Sequence, residues 1–383
     1  MGGSWRIGTV SGIGIFLHWT FLILLGWIGV SHILRGDGLG DALQGIIMIV
    51  ALFGVVVLHE LGHALAARRY GIPTKDITLL PIGGVARLER MPEEPREELV
   101  VALAGPSVNV VLAILCAVGI MVFAGTTNVA TSINTGMNEL EVLMENQQQL
   151  GTLSEPLVGF LTFMLIANVI LVVFNLLPAF PMDGGRVLRA ILAMNMDYVR
   201  ATQTAATIGK GMAVLIGFWG LFSMNPFPVF IALFVWLGAA SEASMVQVKS
   251  GLQGIPVAQA MVSEFRTLAP EDPLGEAARH IIAGFQHDFP VVAEGRIVGV
   301  LTKMDLLKHM AEQGPGEQVG TVMRRDFEQA DPGDMLDTVF ARLQGCDCHA
   351  IPVVRQGNLV GMLTMENVGE YLAIRSALSA RRI

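Results

Sequence analysis

The sequence predicts a polytopic α-helical membrane domain of about six transmembrane helices over residues 1–248, followed by a soluble α/β domain over 249–383. Three observations carry this. The 383-residue chain is 52% hydrophobic and only 15% charged, where a soluble globular chain carries about 25% charged residues. The apolar excess lies almost entirely before residue 250, in runs that approach the roughly 20 residues needed to span a bilayer. Beyond it the composition is that of a soluble protein, and one short motif occurs twice, the mark of a duplicated unit.

Apolar segments at about 12–34, 44–67, 99–124, 157–178, 204–223 and 226–246 predict six spans. The first holds His18 and Trp19 near its start and lacks a clean small-residue cleavage site, so it reads as a retained span. His18 beside Trp19 reads as interfacial. Asn225-Pro226-Phe227-Pro228 is a tight turn between the last two spans. No Lys or Arg occurs from Gly125 to Pro156, whereas Arg68, Arg69, Lys75, Arg87, Arg90 and Arg96 separate the second and third spans. Arg186, Arg189, Arg200 and Lys210 are read between the fourth and fifth. Positive residues favour the cytoplasmic side, so an integral membrane protein with cytoplasmic N- and C-termini is expected, and an even number of spans agrees. The net charge of −8 with no long basic run argues against nucleic acid as a partner. Cys116 falls in an apolar run, and Cys346 and Cys348 are too close in sequence to staple a domain, so no disulfide framework is expected. Cys346, Cys348 and His349 read as ordinary packing rather than a metal site, for want of a fourth ligand nearby.

The second span ends in Leu58-His59-Glu60-Leu61-Gly62-His63. Residues four apart share a helix face, so both imidazoles can grip one ion while Glu60 stands beside it as general base to the attacking water. Such polar groups inside an apolar span are costly and usually functional; the bland alternative is a solvated helix end. A catalytic zinc takes three protein ligands. The third is sought in Asn175-Leu176-Leu177-Pro178-Ala179-Phe180-Pro181-Met182-Asp183-Gly184-Gly185-Arg186, where two prolines break the fourth span. Asp183 reads as that ligand, or as the N-cap of a following helix. Asn175 reads as a hydrogen-bonding partner of substrate backbone or oxyanion, or as a group satisfying the broken helix end. Leu79 to Leu88, with Gly83 and Gly84, suggests a short hairpin or re-entrant segment whose strand edge could pair with an unwound substrate; a plain loop is the alternative.

His59-Glu60-Leu61-Gly62-His63, the Asn175–Gly185 stretch and Leu103-Ala104-Gly105-Pro106-Ser107-Val108-Asn109 together resemble the site-2 protease family of intramembrane metalloproteases, in the family's order. The resemblance implies one zinc per chain held by His59, His63 and Asp183, Glu60 as catalytic base, and cleavage in or near a transmembrane segment of a membrane-embedded protein substrate. Met182 stands where the family often has Leu, a swap of similar volume. Asn109, in the third motif, is implied as structural support near the site.

After residue 248, Pro290-Val291-Val292 with Gly295 to Thr302 matches Pro352-Val353-Val354 with Gly357 to Thr364, and Ala260-Met261-Val262 is echoed by Thr321-Val322-Met323. These units, about 255–311 and 317–375, resemble a tandem pair of CBS modules. The resemblance implies ATP or another adenine nucleotide in a cleft, with Thr302 on phosphate and Asp305 on ribose. Thr364 is the second copy's counterpart, but Asn367 replaces the carboxylate there, which puts a second full site in doubt. A structural or homodimerising role is an equal alternative. The layout is similar to that of sporulation-type proteases, implying regulated intramembrane proteolysis of a sigma-factor precursor or an anti-sigma factor in a prokaryotic plasma membrane. The competing class is a CBS-regulated transporter or channel, which leaves the paired motifs unexplained; a third reading is an inactive scaffold.

Overall fold

The structure, a computed structural model of the chain, describes residues 3–36, 38–81, 83–88, 92, 94–124, 156–284, 286–346 and 350–380. They form two compact units, Met1–Ser244 and Met245–Ile383. Cys348, His349 and the basic-free stretch from Gly125 to Glu155 lie outside the described residues.

The first unit opens with a hairpin of β1 (Ser4–Val10) and β2 (Ile13–His18). Its turn residues Ser11 and Gly12 both have positive φ, the two-residue turn whose twist suits antiparallel strands. Helix α1 (Trp19–Arg35) follows, capped by the His18 side chain, which accepts from the Thr20 N–H. The expected first span, 12–34, is therefore corrected. Its first third is a strand whose Ile13 and Ile15 alternate into the core. The 17-residue helix left over is about 25 Å long, at the lower end of the length that spans a bilayer. His18 is a helix cap rather than a residue within a span.

Next come α2 (Leu39–Arg69), β3 (Thr74–Leu80), β4 (Gly83–Leu88), α3 (Pro95–Ala124), α4 (Pro156–Asn175), the short α5 (Asp183–Ala193), α6 (Tyr198–Phe222) and α7 (Pro226–Leu252). Five of the described helices, α2, α3, α4, α6 and α7, are long and apolar enough to cross a membrane. The sheet order is β1-β2-β3-β4, with β2 and β3 parallel and the outer pairs antiparallel. The expected hairpin around Gly83 and Gly84 is thus present as β3–β4, with β4 on the sheet's edge. Helices α1 and α2 form the crossover between the parallel strands. Ile13, Leu61, Ala64 and Ile77, with Val57 and Ala86, bury the joint between sheet and α2.

Most of the cations read as loop charges lie within helices, and one is in the packed interior. Arg189 is 1% exposed and ties three helices: it donates to Glu98 of α3 at 2.5 and 2.8 Å and to Glu242 of α7 at 2.5 Å, while Phe180 and Tyr198 lie 5.0 and 5.1 Å from its guanidinium. Lys210 lies within α6, 5.7 Å from the Trp236 ring of α7. Arg87, also read as a loop charge, pairs with Asp76 across the β3–β4 hairpin.

The second unit is built twice. Helix α8 (Leu274–Ala283), β5 (Phe289–Ala293), β6 (Arg296–Leu301) and α9 (Lys303–Gln313) make one half. The short α10 (Val319–Val322), then α11 (Leu336–Gly345), β7 (Ala350–Arg355), β8 (Asn358–Thr364) and α12 (Met365–Ala380) make the other. Each hairpin turns on a positive-φ pair, Glu294-Gly295 and Gln356-Gly357. The halves exchange their leading segments: Val262 bridges Met362, and Arg324 bridges Val300. Met261 therefore seats on Gly361 and Met323 on Gly299, where an added Cβ would come within 2.7 and 2.6 Å of the methionine sulfurs. This explains why the repeated strands carry glycine and why both units open on a methionine.

Candidate metal centre

Helix α2 places His59 and His63 one turn apart on a buried face. Arg69 ends the helix ten and six residues further on, so the imidazoles lie about 15 and 9 Å along the axis from its charged end. Asp183 reaches them from the start of α5. Met182 is the N-cap, so Asp183 is the first helical residue rather than the cap. Its position depends on close backbone contact. A Cβ on Gly184 would lie 2.3 Å from the Leu177 carbonyl oxygen, and one on Gly185 2.6 Å from the Ala179 carbonyl carbon. Gly238 of α7 and, less tightly, Gly209 of α6 also pack on this segment, where an added Cβ would lie 2.5 Å from Pro181 Cδ and 3.2 Å from Ala179 Cα, respectively. In the irregular segment between α4 and α5, Ala179 and Phe180 are buried against protein, the setting in which non-helical backbone survives at membrane depth.

The three side chains converge. Asp183 Oδ2 lies 3.2 Å from His59 Nε2 and 3.0 Å from His63 Nε2, and the two Nε2 atoms are 3.1 Å apart. All three residues are buried. The outer ring nitrogens are also engaged: His63 Nδ1 donates to the Val101 carbonyl at 2.7 Å, and His59 Nδ1 meets Asn109 Oδ1 at 3.2 Å. A backbone carbonyl only accepts, so the His63 proton sits on Nδ1 and its Nε2 lone pair faces inward. With His59 in the same form, three acceptor atoms face one another with no proton between them, an arrangement that a cation stabilises. Zinc bonds of about 2.0–2.1 Å set tetrahedral ligand atoms roughly 3.3 Å apart, close to the separations observed. The donor set fits zinc.

Helix α3 makes this possible. A Cβ on Gly105 would fall 2.2 Å from His63 Nε2 and 2.7 Å from His59 Nε2; one on Gly62 would fall 2.8 Å from the Ala104 carbonyl oxygen. These two glycines let α2 and α3 touch at the cluster. Pro106 lies inside α3 and removes the helical bond to Ala102, next to the Val101 carbonyl that holds His63. Arg186 Nη1 stands 3.8 Å from Asp183 Oδ1.

Glu60 Oε2 accepts from the Ala86 N–H of β4 at 3.3 Å. Gly84 passes directly over it, since a Cβ there would be 3.1 Å from Glu60 Cγ and 2.8 Å from Val56 Cγ1. Gly83 has φ of +141°. Asn175 ends α4, half-buried, its side chain making no hydrogen bond to a described residue. The structure thus groups His59, His63, Asp183, Glu60, Asn109 and Gly84. The Val101 carbonyl and Gly105 were not singled out from sequence, although Gly105 sits within the motif that supplied Asn109.

In the second unit Thr302 caps α9. Its hydroxyl accepts from the Asp305 N–H at 3.2 Å and donates to Asp305 Oδ2 at 2.7 Å. Arg324 donates to the same carboxylate at 2.6 Å. Thr364 and Asn367 repeat the capping pair. A cavity of about 460 Å³ is lined by Thr302, Arg324, Asp326, Phe327 and Glu328, among others.

Membrane-capable helices around a buried His-His-Asp cluster define a membrane-embedded metalloprotease. Comparison with known proteins agrees. The model of peptidase family M50 matches residues 47–217, and the CBS domain model matches 257–312 and 319–373. A zinc metalloprotease of Methanocaldococcus jannaschii is 33% identical over 79% of this chain and 78% of its own. Stage IV sporulation protein FB of Bacillus subtilis is 26% identical over 45% of this chain and 50% of its own. The solved site-2 protease of M. jannaschii is 34% identical, covering 63% of this chain and 95% of that one, with a TM-score of 0.40. The chain belongs to peptidase family M50, the site-2 proteases, with a tandem CBS pair appended. Family membership decides against the transporter alternative.

Proposed function

We propose that His59, His63 and Asp183 hold a single zinc and that Glu60 is the catalytic base of an HExxH-type endopeptidase. The observation that carries this is the mutual approach of two Nε2 atoms and one Oδ2 to 3.0–3.2 Å in a buried site. When bound, zinc supplies Lewis-acid polarisation of the scissile carbonyl and acidifies water. Glu60 takes the proton of the attacking water and delivers it to the leaving amine. The Ala86 N–H aimed at Glu60 marks the free edge of β4 as facing the catalytic carboxylate. An unwound substrate segment adds there as a further strand, which places its carbonyl beside Glu60, while Gly83 and Gly84 keep the approach open. Asn175, half-buried with an uncommitted amide, hydrogen-bonds the substrate backbone or the developing oxyanion. Asn109 supports His59.

The substrate is a membrane-tethered protein, of which a sigma-factor precursor or an anti-sigma factor is the favoured kind. The protease sits in a prokaryotic plasma membrane with both termini cytoplasmic, as the basic residues at the Arg68–Arg69 end of α2 support. The CBS pair binds an adenine nucleotide in the cavity beside Thr302 and Asp305; the Thr364 copy, with Asn367 in place of the carboxylate, is the weaker site. Pairing of two chains through the CBS units is the accompanying assembly. Incubating purified protein with candidate single-span substrates tests the central reading. Wild type should cleave and Glu60→Gln should not; equal cleavage by both would remove Glu60 from the chemistry.

A further inference from the structure

Among the described residues, two buried side-chain amide atoms, one on α3 and one on α4, have no hydrogen-bond partner, and they are complementary. Asn109 is fully buried; its Oδ1 meets His59 Nδ1, yet its Nδ2 has no partner. Asn168, on α4, is also fully buried; its Nδ2 donates to the Met164 carbonyl at 2.8 Å, yet its Oδ1 has no partner. One is an orphan donor and the other an orphan acceptor, and a buried polar group left unpaired is destabilising.

The packing of α3 on α4 brings them together. Gly119 faces Leu161, where an added Cβ would lie 3.0 Å from the leucine, and Ile120 is buried with Val158 and Leu165, against which Ala113 packs. The helices run antiparallel in this register. Carried on towards the metal cluster, this register sets Asn109 opposite residues 169–171 of α4, within one turn of Asn168.

We infer that Asn168 is a positioning residue of the metal centre, its Oδ1 holding the Asn109 amide through one buried water, so that Asn109 presents oxygen to His59. This rests on the zinc reading proposed above. An unanchored amide can turn over and offer NH2 to the imidazole. His59 Nδ1 would then have to accept, and its proton would move to Nε2, the atom that must bind the metal. Asn168 is itself fixed by the Met164 carbonyl, so its acceptor points one way. The series Met164 carbonyl, Asn168, Asn109, His59 Nδ1 leaves a lone pair on Nε2. Partners of this kind set tautomer and ring orientation, and their loss weakens metal binding by roughly 10–100-fold.

The test is zinc affinity of the purified full-length protein, read by chelator competition. Asn168→Leu fills the volume without an acceptor and should weaken zinc binding at least about tenfold. Asn168→Ala, which cannot over-pack, should do the same and serves if the leucine variant does not fold. In an Asn109→Asp background the carboxylate offers His59 an acceptor in either orientation. There the same replacements of Asn168 should change affinity less than about twofold, because no amide is left to orient. Wild-type affinity in Asn168→Ala, or an equal loss in both backgrounds, overturns the inference. Failure of the wild type to bind zinc that His59→Ala abolishes would instead overturn the ligand assignment.

Discussion

Gly105 is where a single methyl group decides whether the centre exists. A Cβ there would sit 2.2 Å from His63 Nε2, in the space the ligand atoms occupy. Gly105→Ala should therefore abolish stoichiometric zinc, measured by metal analysis of purified protein. Gly54, in the same helix as His59, meets nothing within 4 Å; Gly54→Ala should keep zinc and be neutral or stabilising by up to about 1 kcal/mol. Glu60→Gln should retain zinc and lose about 10²–10⁴-fold in turnover, whereas His59→Ala should lose both. The histidines and Glu60 were legible because their spacing is itself the motif, and Asp183 because prolines and glycines surround it. Asn168 was not legible: one amide in an apolar run has no spacing to give it away, and its meaning depends on the register of α3 against α4.

At the scale of elements, the helix that presents Asp183 is held by Arg189, two turns further along. Breaking a buried ion pair by removing one partner costs about 3–5 kcal/mol. Arg189→Met should lower stability by that order in detergent unfolding, since Glu98 is fully buried behind it, and Glu98→Gln in the same chain should restore part of the loss. Composition hid this network: Arg189 was counted among loop cations because a charge near a span end usually is one. The first span was misread for a related reason. An apolar count does not separate a strand followed by a helix from one long helix, although Ser11-Gly12, with Ile13 and Ile15 alternating behind it, carried the hairpin signal. The β3–β4 hairpin was legible because glycine and β-branched residues coincide there.

Over the whole molecule, Asp305 and Arg324 link acid sensitivity to the CBS unit. Partial burial pushes the Asp305 carboxyl up, but hydrogen bonds from Arg324 and Thr302, with the charge of Arg324, hold it below the usual carboxylate range. A carboxyl lowered on folding contributes stability above its unfolded value of about 3.9 and loses it as pH falls through the lower folded value. Arg324→Gln should thus flatten the decline in stability between about pH 5 and 2, measured by unfolding across pH. Nucleotide binding should fall in Asp305→Ala and hold in Asn367→Ala, as read by calorimetry on the full chain. The duplication was legible because both copies keep the same strand and turn chemistry. The exchange of leading segments was not, because pairing within a half and pairing between halves draw on the same residues.

Because Met261 closes over Gly361 and Met323 over Gly299, neither half carries its own lid. A gene fragment encoding one repeat should therefore yield a protein that finds a second molecule of itself and borrows back the missing piece. Sedimentation of such a fragment should give twice its monomer mass.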